Sequence, residues 1–153
     1  MIKFNKKIIS HKKLYKASFD GFSAQDFHNK CDGKNFTVTI IMSKTGRIFG
    51  GFTEISWDKS SGFKNGENSF LFSLDMKEIY YYNNNYKSHS IYCSSINGPD
   101  FGFYDLTISN NCNKNYLSQS SLLYYDSKGR NILLAGSRYF SVLDYIVFQI
   151  EIA

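Results

Sequence analysis

One proline in 153 residues leaves little to interrupt extended chain, and three cysteines are too few to staple a fold. Cys31, Cys93 and Cys112 contain no CxxC pair, so neither a zinc ribbon nor a redox dithiol can be built from them. No apolar run approaches the roughly 20 residues that a bilayer crossing requires. The opening MIKFNKKIISHKK has no apolar core of signal-peptide length. Together these absences point to an intracellular chain with reduced thiols, in which the Asn35-Phe36-Thr37 sequon meets no glycosylation machinery. The length is that of one domain with a sizeable core.

Catalytic signatures are also scarce. Gly21-Phe22-Ser23-Ala24 lacks the glycines of a nucleophile elbow, and neither Gly46-Arg47 nor Gly66-Glu67 continues into a phosphate loop. His28 and Cys31 fall three apart on an expected helix, which is half a metal site without a second half. His11 and His89 lie in a basic segment and an asparagine-rich loop, where neither needs a chemical role. No catalytic, cofactor-binding or metal-binding residue is assigned.

The net charge of +5 is concentrated at one end. Six lysines and no acidic residue occupy the first 16 positions, leaving 12 of the 18 basic side chains to face all 13 acidic ones. Residues 1–13 therefore read as a basic N-terminal arm ahead of a single domain at 14–153. A basic stripe with interleaved aromatics is missing, so nucleic acid is not an expected partner.

What the chain has is aromatic residues: 14 Phe, 12 Tyr and one Trp, a composition suited to pleated, half-buried surfaces. Ser23 and Asp26 have capping-box spacing, Phe22 and Phe27 staple spacing, and Asp32-Gly33 supplies a stop, so a helix is predicted over Ala24–Cys31. Too short to stand alone, it must dock through Phe27 and Cys31. Then the period changes to two. Phe36–Met42 and Arg47–Thr53 flank Ser43-Lys44-Thr45-Gly46 as a hairpin.

Further strands are predicted at Lys13–Ser18, Phe70–Leu74, Ile79–Tyr82, Ser90–Cys93, Phe101–Ser109, Ser120–Tyr125, Ile132–Ala135 and Tyr145–Glu151. Turn signals recur between them at sandwich-like spacing, and βαβ alternation is missing. The reading is mostly β: a two-layer antiparallel β-sandwich flanked by short helices. Gly50, Gly51, Gly102 and Gly136 lie in or beside these strands, where glycine marks a bulge or a close approach.

Four stretches carry a resemblance. They are LYKASFDGFSAQDFHNKCDGKNFTVTIIMSKTGRIFGGFTEISW (Leu14–Trp57), GPDFGFYDLTIS (Gly98–Ser109), LLAGS (Leu133–Ser137) and YIVFQIE (Tyr145–Glu151). In this order they resemble the TLDc domain, the module of the oxidation-resistance proteins. Gly21, Gly50, Gly51, Gly98, Gly102 and Gly136 match positions where that family carries glycine. The polar Glu54 and the Ser56-Trp57 pair match as well, while the loop between Tyr125 and Ile132 is shorter than in many members.

The resemblance implies two packed antiparallel sheets and a non-enzymatic module, probing a protein partner through Gly50, Gly51, Glu54, Trp57, Gly102 and Gly136. The implied partner is the vacuolar proton-pumping ATPase, and the implied role is protection against oxidative stress by a cytoplasmic monomer, peripheral at vesicle or vacuole membranes. The alternative reading is a cysteine-dependent enzyme or peroxide scavenger. For Trp57 and the glycines, a purely structural role, core packing and bulges, is the reading that the residues themselves favour.

Overall fold

A computed structural model describes residues 5–86 and 88–153. In chain order the elements are β1 (Ile8–Lys16), α1 (Ala17–Asp20), α2 (Ala24–Cys31), β2 (Thr37–Ser43), β3 (Ile48–Thr53), β4 (Gly62–Lys64) and β5 (Phe70–Ser73). They continue with β6 (Glu78–Tyr81), β7 (Ile91–Cys93), β8 (Asn97–Phe101), β9 (Leu106–Ser109), β10 (Ser118–Gln119), β11 (Tyr139–Phe140) and β12 (Val142–Ile152). One antiparallel sheet runs β1-β12-β2-β3-β5-β6, and the other runs β11-β10-β9-β8-β7-β4. The expected mostly β sandwich with short helices is what the chain forms.

A string of aromatic rings joins the two layers. Tyr15 meets Phe27 at 6.0 Å, Phe27 meets Trp57 at 5.7 Å, and Trp57 meets Phe101 at 5.4 Å. Phe101 meets Tyr125 at 6.4 Å, and Tyr125 meets Tyr82 at 5.5 Å. The first four contacts are edge-to-face, the geometry that ring quadrupoles favour. Positions 15 to 125 are thereby tied into one core.

α2 begins and ends where its sequence says. The Ser23 hydroxyl accepts from the Asp26 N–H at 3.0 Å, and the Asp26 carboxylate accepts from the Ser23 N–H at 3.1 Å. Gly33, with φ +75°, donates its N–H to the Trp57 carbonyl at 2.9 Å, so the helix stop is also an anchor. Ala24, Phe27, His28 and Cys31 form its buried face.

Several strands differ from expectation. The stretch at 101–109 is two strands, because Gly102, Phe103 and Tyr104 turn the chain back on itself. Residues 120–125 form no strand: the Asp105 carboxylate takes the N–H groups of Leu123, Tyr124 and Tyr125 that a ladder would use. Ile132–Ala135 is also outside the sheets, with Ile132, Leu134 and Ala135 packed into the core from a turn closed by the Gly136 N–H on the Leu133 carbonyl. β4 and β11, only three and two residues long, have no sequence period to find.

β1 starts at Ile8 and not at Lys13, pairing with β12 along its length. As an edge strand it can keep its lysines in water, which also blunts edge-to-edge association.

β2 reverses the usual pattern. Thr37, Thr39 and Ser43 point into the sandwich beside Ile41, while Val38, Ile40 and Met42 face out. Two of the inward hydroxyls are used: Thr37 accepts from the Trp57 indole at 3.1 Å, and Ser43 bonds Thr45 at 2.8 Å.

Candidate functional site

Three consecutive residues between β8 and β9 have left-handed backbone: Gly102 at φ +69°, Phe103 at +52° and Tyr104 at +86°. Glycine takes this conformation freely, but for the two aromatic residues it costs on the order of 1–3 kcal/mol each. The surroundings must therefore hold the turn. Two buried aspartates, 0% and 1% exposed, do so.

Asp100 accepts from the Thr107 hydroxyl at 2.7 Å on Oδ1, and the Thr107 oxygen accepts from the Tyr104 N–H at 2.9 Å. Asp105 accepts from the N–H groups of Leu123, Tyr124 and Tyr125 on a single oxygen, at 2.8, 2.8 and 2.9 Å. Its backbone carbonyl takes the Ser120 hydroxyl at 2.7 Å.

Burial pushes the Asp100 carboxyl up to about 7, against the pull of the Thr107 hydroxyl and the turn's N–H groups. Burial also raises Asp105, to about 7, opposed by its three N–H donors. The geometry distinguishes the two acids. Asp105 has donors in place for a charge, whereas Asp100 Oδ2 is buried without a partner. Of the two acids, Asp100 is the one whose surroundings favour the protonated form.

The strain produces display. Phe103 and Tyr104 are 37% and 40% exposed, with their rings 4.2 Å apart. Phe103 leans on Tyr92 of β7 at 4.7 Å, and Tyr92 on Phe63 of β4 at 4.9 Å. Phe63 continues to His89 at 4.5 Å, and His89 stacks on Tyr124 at 4.8 Å. Tyr86 closes the array against Tyr124 at 5.1 Å. Seven rings thus form a continuous surface on the outside of the second sheet. Broad, rigid rings with polar tips make contact at low entropic cost, as at interface hot spots.

The six residues expected to meet a partner do not form one patch. Trp57 is 1% exposed and packs between Phe27 and Phe101. Gly51 is buried beneath Phe101, whose ring lies 2.6 Å from where a Cβ would sit; Gly50 faces the other side of the strand, where a Cβ would stand 1.8 Å from the Thr39 carbonyl oxygen. Gly102 is buried at the strained turn beside Asp105. Glu54 is partly exposed and clamps Asn68, accepting from its backbone N–H at 3.1 Å and its amide at 2.7 Å.

Gly136 is exposed, φ +83°, next to the Arg47 guanidinium. Arg47 and Glu54 stand at opposite ends of β3, roughly 20 Å apart at strand rise. Only Gly102, through its turn, belongs to the aromatic surface. The rings themselves passed unnoticed because Phe and Tyr in FGFYD look like strand residues; the signal was glycine between two aromatics, followed by an aspartate.

The remaining sequence candidates are committed to structure. His28 Nδ1 bonds the Asp32 carboxylate at 2.6 Å, and Nε2 faces the carbonyls of Ser94 and Asn97 at 2.7 and 2.9 Å, tying α2 to the β7–β8 connection. All three thiols are buried, and burial raises Cys93 to about 11, Cys112 to about 12 and Cys31 further still. Among the described residues, no three His, Cys, Asp or Glu side chains gather as a metal site, and no helix is long and apolar enough to cross a membrane.

The family profile of the TLDc domain matches residues 1–151, which includes β1 and its lysines. The chain belongs to the TLDc family. No curated protein matches it at a significant level. For this TLDc domain, the glycines that carried the resemblance divide physically. Gly50 and Gly51 serve close packing on the two faces of β3, while Gly102 and Gly136 serve backbone turns.

Proposed function

We propose that this TLDc domain is a non-enzymatic protein-interaction module whose partner is the vacuolar proton-pumping ATPase. In this reading it acts in the cytoplasm at vesicle or vacuole membranes and contributes to oxidative-stress protection. One observation carries it: two aromatic residues held in costly left-handed backbone so that their rings complete a seven-ring surface. Strain that the fold maintains through two buried acids is better explained by what it presents than by stability. Burial and raised pKa values of the three thiols count against the cysteine-based alternative, since the thiolate is the reactive form.

The test is direct binding of the folded domain to the isolated soluble sector of the pump, alongside Phe103→Ser and Tyr104→Ser. Binding by the wild type that falls at least tenfold in folded variants supports the proposal. Unchanged binding by both variants would remove the aromatic surface from the contact. No binding by the wild type would remove the pump as partner. Gly136→Arg, at an exposed and separate site, serves as the comparison.

A further inference from the structure

The outside of the first sheet is apolar where water would favour polar residues. In an antiparallel sheet with one wet face, polar side chains ordinarily take that face. Here Val38, Ile40 and Met42 of β2 point outward while threonine and serine point in. Across the ladder, Ile40 pairs with Ile146 and Val38 with Phe148, so β12 continues the same apolar surface. Such a face marks a contact surface.

Its relief is a trough. A depression of about 260 Å³ lies among Val38, Ile40, Phe148 and Ile150, with Ile8 and His11 on its rim. A second, also about 260 Å³, continues past the shared Ile40 to Met42, Ile48 and Ile146, with Lys16 and Asp144 on its rim; Asp144 accepts from the Ser18 N–H and hydroxyl at 2.9 and 2.6 Å. The two follow the β12–β2 seam, whose seven-residue length is roughly 24 Å, enough for about four turns of helix.

The β1 wall is basic. His11 pairs with Ile150, Lys13 with Phe148 and Lys16 with Ile146, and paired residues share a face, so all three stand along the trough's margin. On the sheet's other margin Asp75 and Lys77 lie between β5 and β6, and Glu78 pairs with the buried Ser73 and so stands on the opposite face. Glu78 is paired with Arg130 at 2.6 Å.

We propose that this trough docks an amphipathic helix of a partner protein, with its apolar stripe on Ile40 and Ile146 and an acidic flank against Lys13 and Lys16. Lys13 and Lys16 outnumber Asp144 along this margin, and a net positive edge beside a concave apolar seam matches a helix with one acidic side. This surface is separate from the aromatic one and does not depend on the identity of that partner.

The probe is a pair of synthetic 16-residue helical peptides with the same leucine stripe, one flanked by glutamate and one by lysine. Binding to the whole domain is read by fluorescence anisotropy at low and high salt. Two exposed charge pairs predict roughly a 2–30-fold preference for the glutamate peptide, weakening with salt. Lys13→Glu with Lys16→Glu should reverse that preference, and Ile40→Glu, checked for folding by its melting curve, should abolish binding of both peptides.

Equal affinity for the two peptides, or binding that Ile40→Glu leaves intact, overturns the proposal. So does stronger recovery with phosphatidylserine vesicles than with the glutamate peptide, which would make the occupant a membrane. Self-association in sedimentation that Ile40→Glu removes would make it a second copy and overturn it equally.

Discussion

Replacing Asp100 with asparagine tests whether the strained turn is held by a proton. An ordinary aspartate titrates near 4, whereas burial lifts Asp100 to about 7. That difference corresponds to about 4 kcal/mol, an order-of-magnitude value appropriate to a side chain with 0% exposure. The sign follows from which state holds the proton. Between pH 4 and 7 the folded chain keeps it while the unfolded chain has released it, so stability falls as pH rises. The contribution is complete below about pH 4 and lost once pH passes about 7.

Asparagine is neutral throughout. It keeps an oxygen for the Thr107 hydroxyl but places an NH₂ group where Oδ2 has no partner, at a pH-independent cost of about 1–3 kcal/mol. Wild type loses part of that contribution by pH 5 and nearly all of it by pH 8, so Asp100→Asn should gain about 2–3 kcal/mol on wild type between those pH values and match or exceed it at pH 8. Urea unfolding followed by Trp57, the single tryptophan and 1% exposed, reads both proteins at each pH. Asp105→Asn is the control. Its carboxyl is also raised to about 7, but three N–H groups aim at it, so this variant should be the less stable of the two at every pH. A constant gap between wild type and Asp100→Asn from pH 5 to 8 would refute the protonated-aspartate account.

Other substitutions test neighbouring parts of the argument. Gly51→Ala would put a methyl 2.6 Å from the Phe101 ring and 2.9 Å from Leu71, and should cost about 1–3 kcal/mol in urea unfolding; a neutral result would show the sandwich can part there. Phe103→Gly relieves a positive φ while losing one ring, so its stability should stay within about 1 kcal/mol of wild type. A loss above 3 kcal/mol would make Phe103 a structural residue. With iodoacetamide at pH 7.5, the native thiols should react far more slowly than in urea, where all three should be labelled. One fast native thiol would revive the cysteine-based reading.

The helix was legible almost to the residue because its information is local: Ser23 and Asp26 cap it, Phe27 marks its face, and Asp32-Gly33 ends it. The β2–β3 hairpin was legible for the same reason. The β8–β9 turn was not. Its residues have strand propensity, and the acids that bend them act through Thr107 and through N–H groups about twenty positions away. β12 was found, but not the full length of β1, whose lysines are tolerated only because it lies at an edge. The glycines announced close packing but not on which face. Only the register separates Gly50, beneath Phe72, from Gly51, beneath Phe101.

Local rules fail together at specific places in this sandwich, and the failures are informative. Natural folds are consistent across levels except where function requires otherwise. Around Asp100, three rules break within eight residues: two non-glycine residues adopt left-handed backbone, a carboxyl is buried, and one of its oxygens lacks a partner. Each is destabilising alone, and all three converge on presenting Phe103 and Tyr104. On the opposite sheet, the inverted hydropathy of β2 leaves Thr39 Oγ1 buried without a partner while Ile40 faces out. Exchanging those two residues would repair both faces, so a Thr39→Ile, Ile40→Thr double variant should be more stable if it packs without overfilling. A more stable double variant that no longer binds the glutamate-flanked helix would show that this chain sacrifices stability on β2 for docking; one that is less stable would show that Thr39 is required by the packing of the core.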